Sequence, residues 1–264
     1  HSYRLSSCTA EFSENQSKTS FCTEQVTLLG YVMDLLEDEL KEDTFVINDM
    51  QLPLPRETIL YLKDVIQVSS KEFQCENIHG MSPSMVDVLR KSLELFKILV
   101  ACEHGFRYSI ATELLSIGFI RLCLELLKDL GPPELIQNAI EKHGEVEWTT
   151  RNGCLNLSKS NNPYKGYRKD IVAILANVSY KNRFVQDEIR NLGGLPLILQ
   201  QCVIDEENPF LREWGFWAVR NLLDNNLDNV KEISEMQLKG LVTPVELEQK
   251  GYKLEMDQAI GRPK

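Results

Sequence analysis

Positive charge is in short supply in this sequence: 29 lysines and arginines stand against 39 aspartates and glutamates, a net charge of −10 over 264 residues. Such a chain lacks the basic footprint that neutralises a phosphate backbone, which excludes general nucleic-acid binding. The seven cysteines (Cys8, Cys22, Cys75, Cys102, Cys123, Cys154, Cys202) form no C-x-x-C pair and are odd in number. Neither a zinc site nor a disulfide framework is therefore expected. Cys102, Cys123 and Cys202 fall within apolar helical patterns, where a free thiol acts as a small hydrophobe. A reducing compartment, the cytoplasm, is the expected location.

No apolar run reaches the roughly 18 residues that suggest a membrane span, and no secretory segment opens the chain. Without a secretory route the N-x-S sequons at Asn15, Asn156 and Asn177 read as chance. Opening at His1 rather than Met, the chain is expected to lack its natural N-terminus. Phosphate loops, H-E-x-x-H, G-x-S-x-G and kinase signatures are all missing. His104 stands two residues from Cys102, but positions i and i+2 of a helix point apart and no third group orients the ring. No enzyme, cofactor or metal is expected. No stretch alternates with period two, so strands are not expected either.

What the sequence does contain is a phrase nearly said twice. Ile174-Leu-Ala-Asn177-Val-Ser is followed 44 residues later by Ala218-Val-Arg-Asn221-Leu-Leu. In the same register Glu188 meets Glu232 and Ile189 meets Ile233. Periods of about 40–47 residues signal stacked helical repeats of the armadillo or HEAT kind. The spacing of apolar residues predicts helices over 167–179, 183–192 and 195–203, the second stopped by Gly193-Gly194 and the third wholly buried. Asn208 is expected to cap a long helix reaching Leu223, with Pro209 in its first turn. Another unit begins near Asn229.

A shift of 76 places Leu99 on Leu175, Gly118 on Gly194 and Phe119 on Leu195. The surplus falls between Gly131 and Pro163, read as an inserted mobile loop with one short helix over 134–142. Helices are also expected over 24–40, 55–69 and 84–102. The predicted fold is all-α, an armadillo/HEAT-like right-handed α-solenoid. Its parts are a weakly ordered segment 1–20, N-terminal helices 21–130, the insertion 131–166 and a C-terminal domain 167–264.

Phe210, Trp214, Trp217 and Asn221 are spaced i, i+4, i+7, i+11 and so share one helix face. The adjoining stripe, Leu211, Gly215, Ala218 and Leu222, is suited to packing. Trp217-x-x-x-Asn221 resembles the Trp–Asn pair on the third helices of peptide-binding armadillo proteins, where the amide holds a peptide backbone. One repeat earlier Asn177 remains but Ala173 replaces the Trp, which argues against a peptide ladder. Trp217, Asn221, Asn177 and Arg220 are the candidate partner-binding residues. Glu213, Arg212 and Arg220 also suit surface ion pairs, and Asp205-Glu-Glu207 a solvated loop.

The stretch 167–251 resembles the C-terminal domain of the ataxin-10 family. The resemblance rests on Asn177-Val-Ser-Tyr-Lys-Asn182, Gln186-Asp187, Gly194-x-Pro196-Leu-Ile-Leu199 and Asp205-x-x-Asn208-Pro-Phe-Leu-x-Glu213-Trp214, followed by Val219-Arg-Asn-Leu222. It implies a non-catalytic, cytoplasmic, armadillo-like scaffold that self-associates. Roles in cytokinesis, cell survival and signalling are implied too, with a glycosyltransferase and a G-protein β subunit as partners. Asn208, Pro209, Phe210, Glu213 and Trp214 are the family-motif residues, as fold determinants or contacts. The alternative expectation is a transport adaptor that binds linear peptides through the Trp–Asn pair.

Overall fold

The computed structural model describes residues 21–41, 54–75, 82–101, 106–143 and 162–238. Among them every regular element is an α-helix, and no strand occurs. In chain order they are α1 (Thr23–Lys41), α2 (Arg56–Cys75), α3 (Pro83–Ala101), α4 (Phe106–Ser116), α5 (Phe119–Asp129), α6 (Glu134–His143), α7 (Tyr167–Ser179), α8 (Arg183–Asn191), α9 (Gly194–Leu199), α10 (Leu211–Leu223) and α11 (Leu227–Leu238). The expected segment 1–20, half of the expected insertion (144–161) and the tail beyond 238 lie outside the described residues, as do Cys102 and His104.

Local chemistry explains many of the boundaries. Ser82 Oγ accepts the main-chain N–H of Met85, and Pro83 opens α3 where its missing N–H costs nothing. Asn182 and Asn226 cap α8 and α11 through Oδ1, receiving the N–H of Val185 and Asn229. Gly118 and Gly193 take φ of 71° and 69°, a left-handed turn that starts α5 and α9. These two glycines lie 75 residues apart, so the backbone corrects the upstream shift of 76 by one residue.

The 44-residue period is reproduced in the backbone. α7 and α10 begin and end 44 residues apart, each preceded by a left-handed residue (Gly166, φ 95°; Phe210, φ 65°). Both end in an extended residue, Tyr180 at φ −62° and ψ 116°, Asp224 at φ −62° and ψ 112°. Lys181 and Asn225 then adopt φ of 51° and 54°. Two stretches with different side chains thus trace the same path.

Apart from α6, the described helices pack in three rows. α1, α3, α7 and α10 lie side by side; α2, α5 and α9 form a second row; α4, α8 and α11 form a third. The shared core runs through all three, with Leu89, Leu93, Phe96, Leu99, Phe119, Ile171, Leu175, Ile189 and Ile198 fully or almost fully buried. Phe96 and Phe119 stack at 4.1 Å between centroids, joining α3 to α5. α7 is enclosed almost completely, with Ala173 and Ala176 buried on it.

Two expectations about elements need correction. α9 covers six residues and buries only Gly194, Leu195 and Ile198, so it is shorter and less enclosed than the expected helix 195–203. α10 starts at Leu211, because Phe210 occupies the left-handed position before it and supplies no side-chain cap. Asn208 does not cap α10. Its Oδ1 receives the N–H of Lys169 in the first turn of α7 at 3.3 Å, and its Nδ2 donates to Asp205. Gly166, the residue before α7, has no side chain for that task, and its own N–H donates to the Glu207 carbonyl at 2.8 Å.

The two ends of the stretch between α5 and α7 are fastened together. Arg168, fully buried, donates to the carbonyls of Gly131 (2.8 Å) and Leu130 (3.3 Å) and to Gln201 Oε1 (3.2 Å). Burial pulls its guanidinium down to about 10, partly opposed by Asp205, so it stays charged at neutral pH. A cation there meets the carbonyl end of α5, where the helix dipole favours it. The described part of the insertion includes α6, as the expected helix over 134–142.

Candidate functional site

The last helix of the first row presents an aromatic surface. On α10, Phe216 and Trp217 are 57% and 51% exposed, and Phe210 at its start is 72% exposed. The opposite stripe, Leu211, Gly215, Ala218 and Leu222, is buried against the neighbouring helices, as its small apolar residues predict. Gly215 lets α10 cross close to the Gln201 main chain, since a Cβ there would stand 2.8 Å from the Gln201 carbonyl oxygen. Trp214 is half-buried against the core. The expected four-residue stripe therefore begins in solvent and ends inside, because Asn221 is buried.

Asn221 is engaged within the fold. Its Nδ2 donates to the Ala176 carbonyl at 2.8 Å, tying α10 to α7. Its own carbonyl receives Gln186 Nε2 at 2.9 Å. Asn177 is half-buried in the last turn of α7, and Ala173 one turn before it is buried. The Trp–Asn pair thus consists of an exposed ring and an amide already donating to the scaffold.

Arg220 lies over the Trp217 ring, 4.9 Å from its centroid. Glu213 pairs with Arg212 at 3.0 Å rather than with Arg220. Between the ends of α7 and α10 opens a cleft of about 650 Å³, lined by Tyr180, Lys181, Arg220, Asn221, Leu223, Asp224 and Asn225. Lys181 sits over the Tyr180 ring at 5.1 Å. The structure therefore brings Trp217, Arg220 and Asn221 to one place. It adds Tyr180 and Lys181, which sequence reasoning missed because only the turn after α7 aims them there.

The floor of the cleft is rigid for a chemical reason. Gln186, buried on α8, donates through Nε2 to the carbonyls of Ser179 (3.2 Å), Asn221 (2.9 Å) and Asp224 (3.4 Å). One amide so satisfies carbonyls at the ends of both α7 and α10, which helix termini otherwise leave unpaired. Its Oε1 accepts Asn226 Nδ2 at 3.0 Å. Asn229 donates to the Leu222 carbonyl and accepts from Arg190, each at 2.8 Å. Around this core Asp187 receives Arg183, Arg190 and Asn226. Burial pushes its carboxyl up, but these hydrogen bonds outweigh that and hold it below the usual aspartate range.

Of the family-motif residues, Asn208 is fully buried in the contact with α7 described above. Pro209 and Phe210 are exposed, forming the turn that follows. Asp205, expected in a solvated loop, is half-buried and organises that turn by accepting the N–H groups of Glu207 and Asn208. No group of three His, Cys, Asp or Glu among the described residues is placed to hold a metal ion. Burial pushes the Cys202 thiol up to about 12 and raises that of Cys123, so neither is ionised near neutral pH. No helix among the described residues is long and apolar enough to cross a membrane.

Comparison with known proteins finds relatives for this part of the chain. Residues 167–264 match the model of the spinocerebellar ataxia type 10 protein domain. An ataxin-10 homolog from Dictyostelium discoideum is 42% identical over 90 residues, 34% of this chain and 15% of the relative. Human ataxin-10 is 34% identical over 120 residues, 42% of this chain and 25% of the relative. A homolog from Kluyveromyces lactis is 39% identical over 101 residues, 38% and 18% of the two chains. The similarity thus spans a quarter or less of each of these relatives. No solved structure matches the chain.

Proposed function

We propose that this chain, whose residues 167–264 belong to the ataxin-10 family, is a non-enzymatic armadillo-like scaffold that binds other proteins through the open face of α10. The 44-residue spacing of α7 and α10 and the side-by-side stacking of α1, α3, α7 and α10 support a solenoid, which grows along one axis and offers a long surface. The observation that carries the reading is the exposed Phe216–Trp217 pair standing on a helix whose other side is locked to α7 and α8. Aromatic anchors on a rigid support are the usual energetic centre of a protein interface.

The partners implied by the family resemblance, a glycosyltransferase or a G-protein β subunit, are proposed occupants, and the cytoplasm the proposed place of action. A role in cytokinesis, cell survival or signalling follows from the same resemblance. Self-association belongs to the proposal too, and the exposed Leu227 and Val230 of α11 favour it. The peptide-adaptor alternative is less well supported: Asn221 donates to Ala176, and Ala173 replaces a second tryptophan.

Pull-down of the two proposed partners with the Trp217→Ala and Phe216→Ala variants tests the reading. Weakened capture with an unchanged helical spectrum is the expected result. Undiminished capture of both partners would remove α10 from the interface.

A further inference from the structure

We infer that the cleft between the ends of α7 and α10 takes an acidic, extended segment of a partner protein, held by Lys181 and Arg220. The inference rests on the scaffold reading above and names the chemistry of what is bound. Most arginines of this region are matched within the fold: Arg183 with Asp187 and Asp228, Arg190 with Asp187, Arg212 with Glu213. Lys181 and Arg220 instead lie over aromatic rings, with no carboxylate in salt-bridge contact among the described residues. A cation over a ring face is oriented yet keeps its donors for a further acceptor. Both line the same cleft, Lys181 just past the C-terminal end of α7 and Arg220 in the last turn of α10.

Further features fit an acidic, extended peptide. The lining carries two cations against a single carboxylate, Asp224, which accepts Asn225 Nδ2 at 3.0 Å. Asn221 Oδ1 has no donor among the described residues, and the residue lines the cleft, where a peptide N–H can meet it. The exposed Trp217 ring beneath Arg220 offers an apolar neighbour to the carboxylate site. A long polyanion fits less well. Only two cations stand in the cleft, on a chain of net charge −10.

Lys181 also owes its place to backbone geometry. Its φ of 51° turns the chain sharply after α7, and Asn225 repeats the turn after α10. The side chain is thereby fixed relative to Arg220 by two buried helix ends rather than by a long loop.

The test uses the full chain and arrays of immobilised short peptides with Asp/Glu-rich centres. Matched Asn/Gln-rich and Lys/Arg-rich arrays and single-stranded DNA serve as competitors. Binding is expected to select the Asp/Glu series, to fall between about 50 and about 300 mM salt, and to weaken about tenfold in Lys181→Gln/Arg220→Gln. Both residues are on the surface, so an unchanged unfolding midpoint separates lost contact from lost fold. A charge-blind or Lys/Arg-selecting profile, equal binding of DNA, or an unaffected double variant would each overturn the inference. If the partners still depend on Trp217 while the arrays show no acidic preference, this inference fails and the scaffold reading stands. If Trp217→Ala also leaves every partner bound, the scaffold reading falls with it.

Discussion

Asn208 caps a helix that begins 41 residues before it: its Oδ1 receives the Lys169 N–H in the first turn of α7 at 3.3 Å. The pair joins the turn before α10 to the start of α7, one repeat earlier. A motif residue that looks like the start signal of its own helix thus supplies the missing cap of the preceding repeat.

Asn208→Ala removes this cap and the bond to Asp205 from a fully buried site. A loss of about 2 kcal/mol is expected, cap and buried hydrogen bond together. Urea unfolding should show a lower midpoint at an unchanged slope.

Gln186→Ala strips the single donor group shared by the carbonyls of Ser179, Asn221 and Asp224. The Asn221 and Asp224 carbonyls lose this donor, Ser179 keeps only the Asn182 N–H, and Asn226 keeps only Asp187 as its acceptor. The expected cost is roughly 3 kcal/mol. Hydrogen exchange should quicken first at the ends of α7 and α10.

Gly215→Ala places a methyl 2.8 Å from the Gln201 carbonyl oxygen and 3.0 Å from the Cys202 nitrogen, both main chain. Neither can swing aside as a side chain would, so α10 must shift away from α9. About 2 kcal/mol of destabilisation is expected by thermal melting. Gly118→Ala meets no neighbouring atom and suffers only its left-handed backbone, which costs about 1 kcal/mol.

Asp187 sets an acid limit. Its pKa is lower in the folded chain than in the unfolded one, so its stabilisation is complete above the unfolded value near about pH 4. As pH falls through the folded value the carboxyl protonates and that stabilisation is lost. The stability difference between the protein and Asp187→Asn should therefore shrink as pH falls below about 4. A difference that stays constant through the acid range would assign Asp187 no part in the pH dependence.

The two copies separated by 44 residues were legible because Asn177 and Asn221, Ile189 and Ile233 recur in the same register. The helix bounds at 167, 179 and 223 follow from that register and from apolar spacing. α4 was not legible between Cys102 and Gly118, where apolar residues do not gather on one face. The roles of Asn208, Gln186 and Arg168 were hidden for another reason. Each also reaches a partner 33–40 residues away, and local patterning carries no trace of such pairing. The candidate site was half legible. Trp217 and Arg220 could be placed on one helix, whereas Lys181 joins them only through the positive φ after α7.

The proposed binding face is tested most directly by the indole N–H signals of Trp214 and Trp217 in a nitrogen-15 correlation spectrum, titrated with a bound partner. The Trp217 signal is expected to shift or broaden on binding while half-buried Trp214 responds less. Saturated binding that leaves the Trp217 signal unmoved would contradict the proposed face.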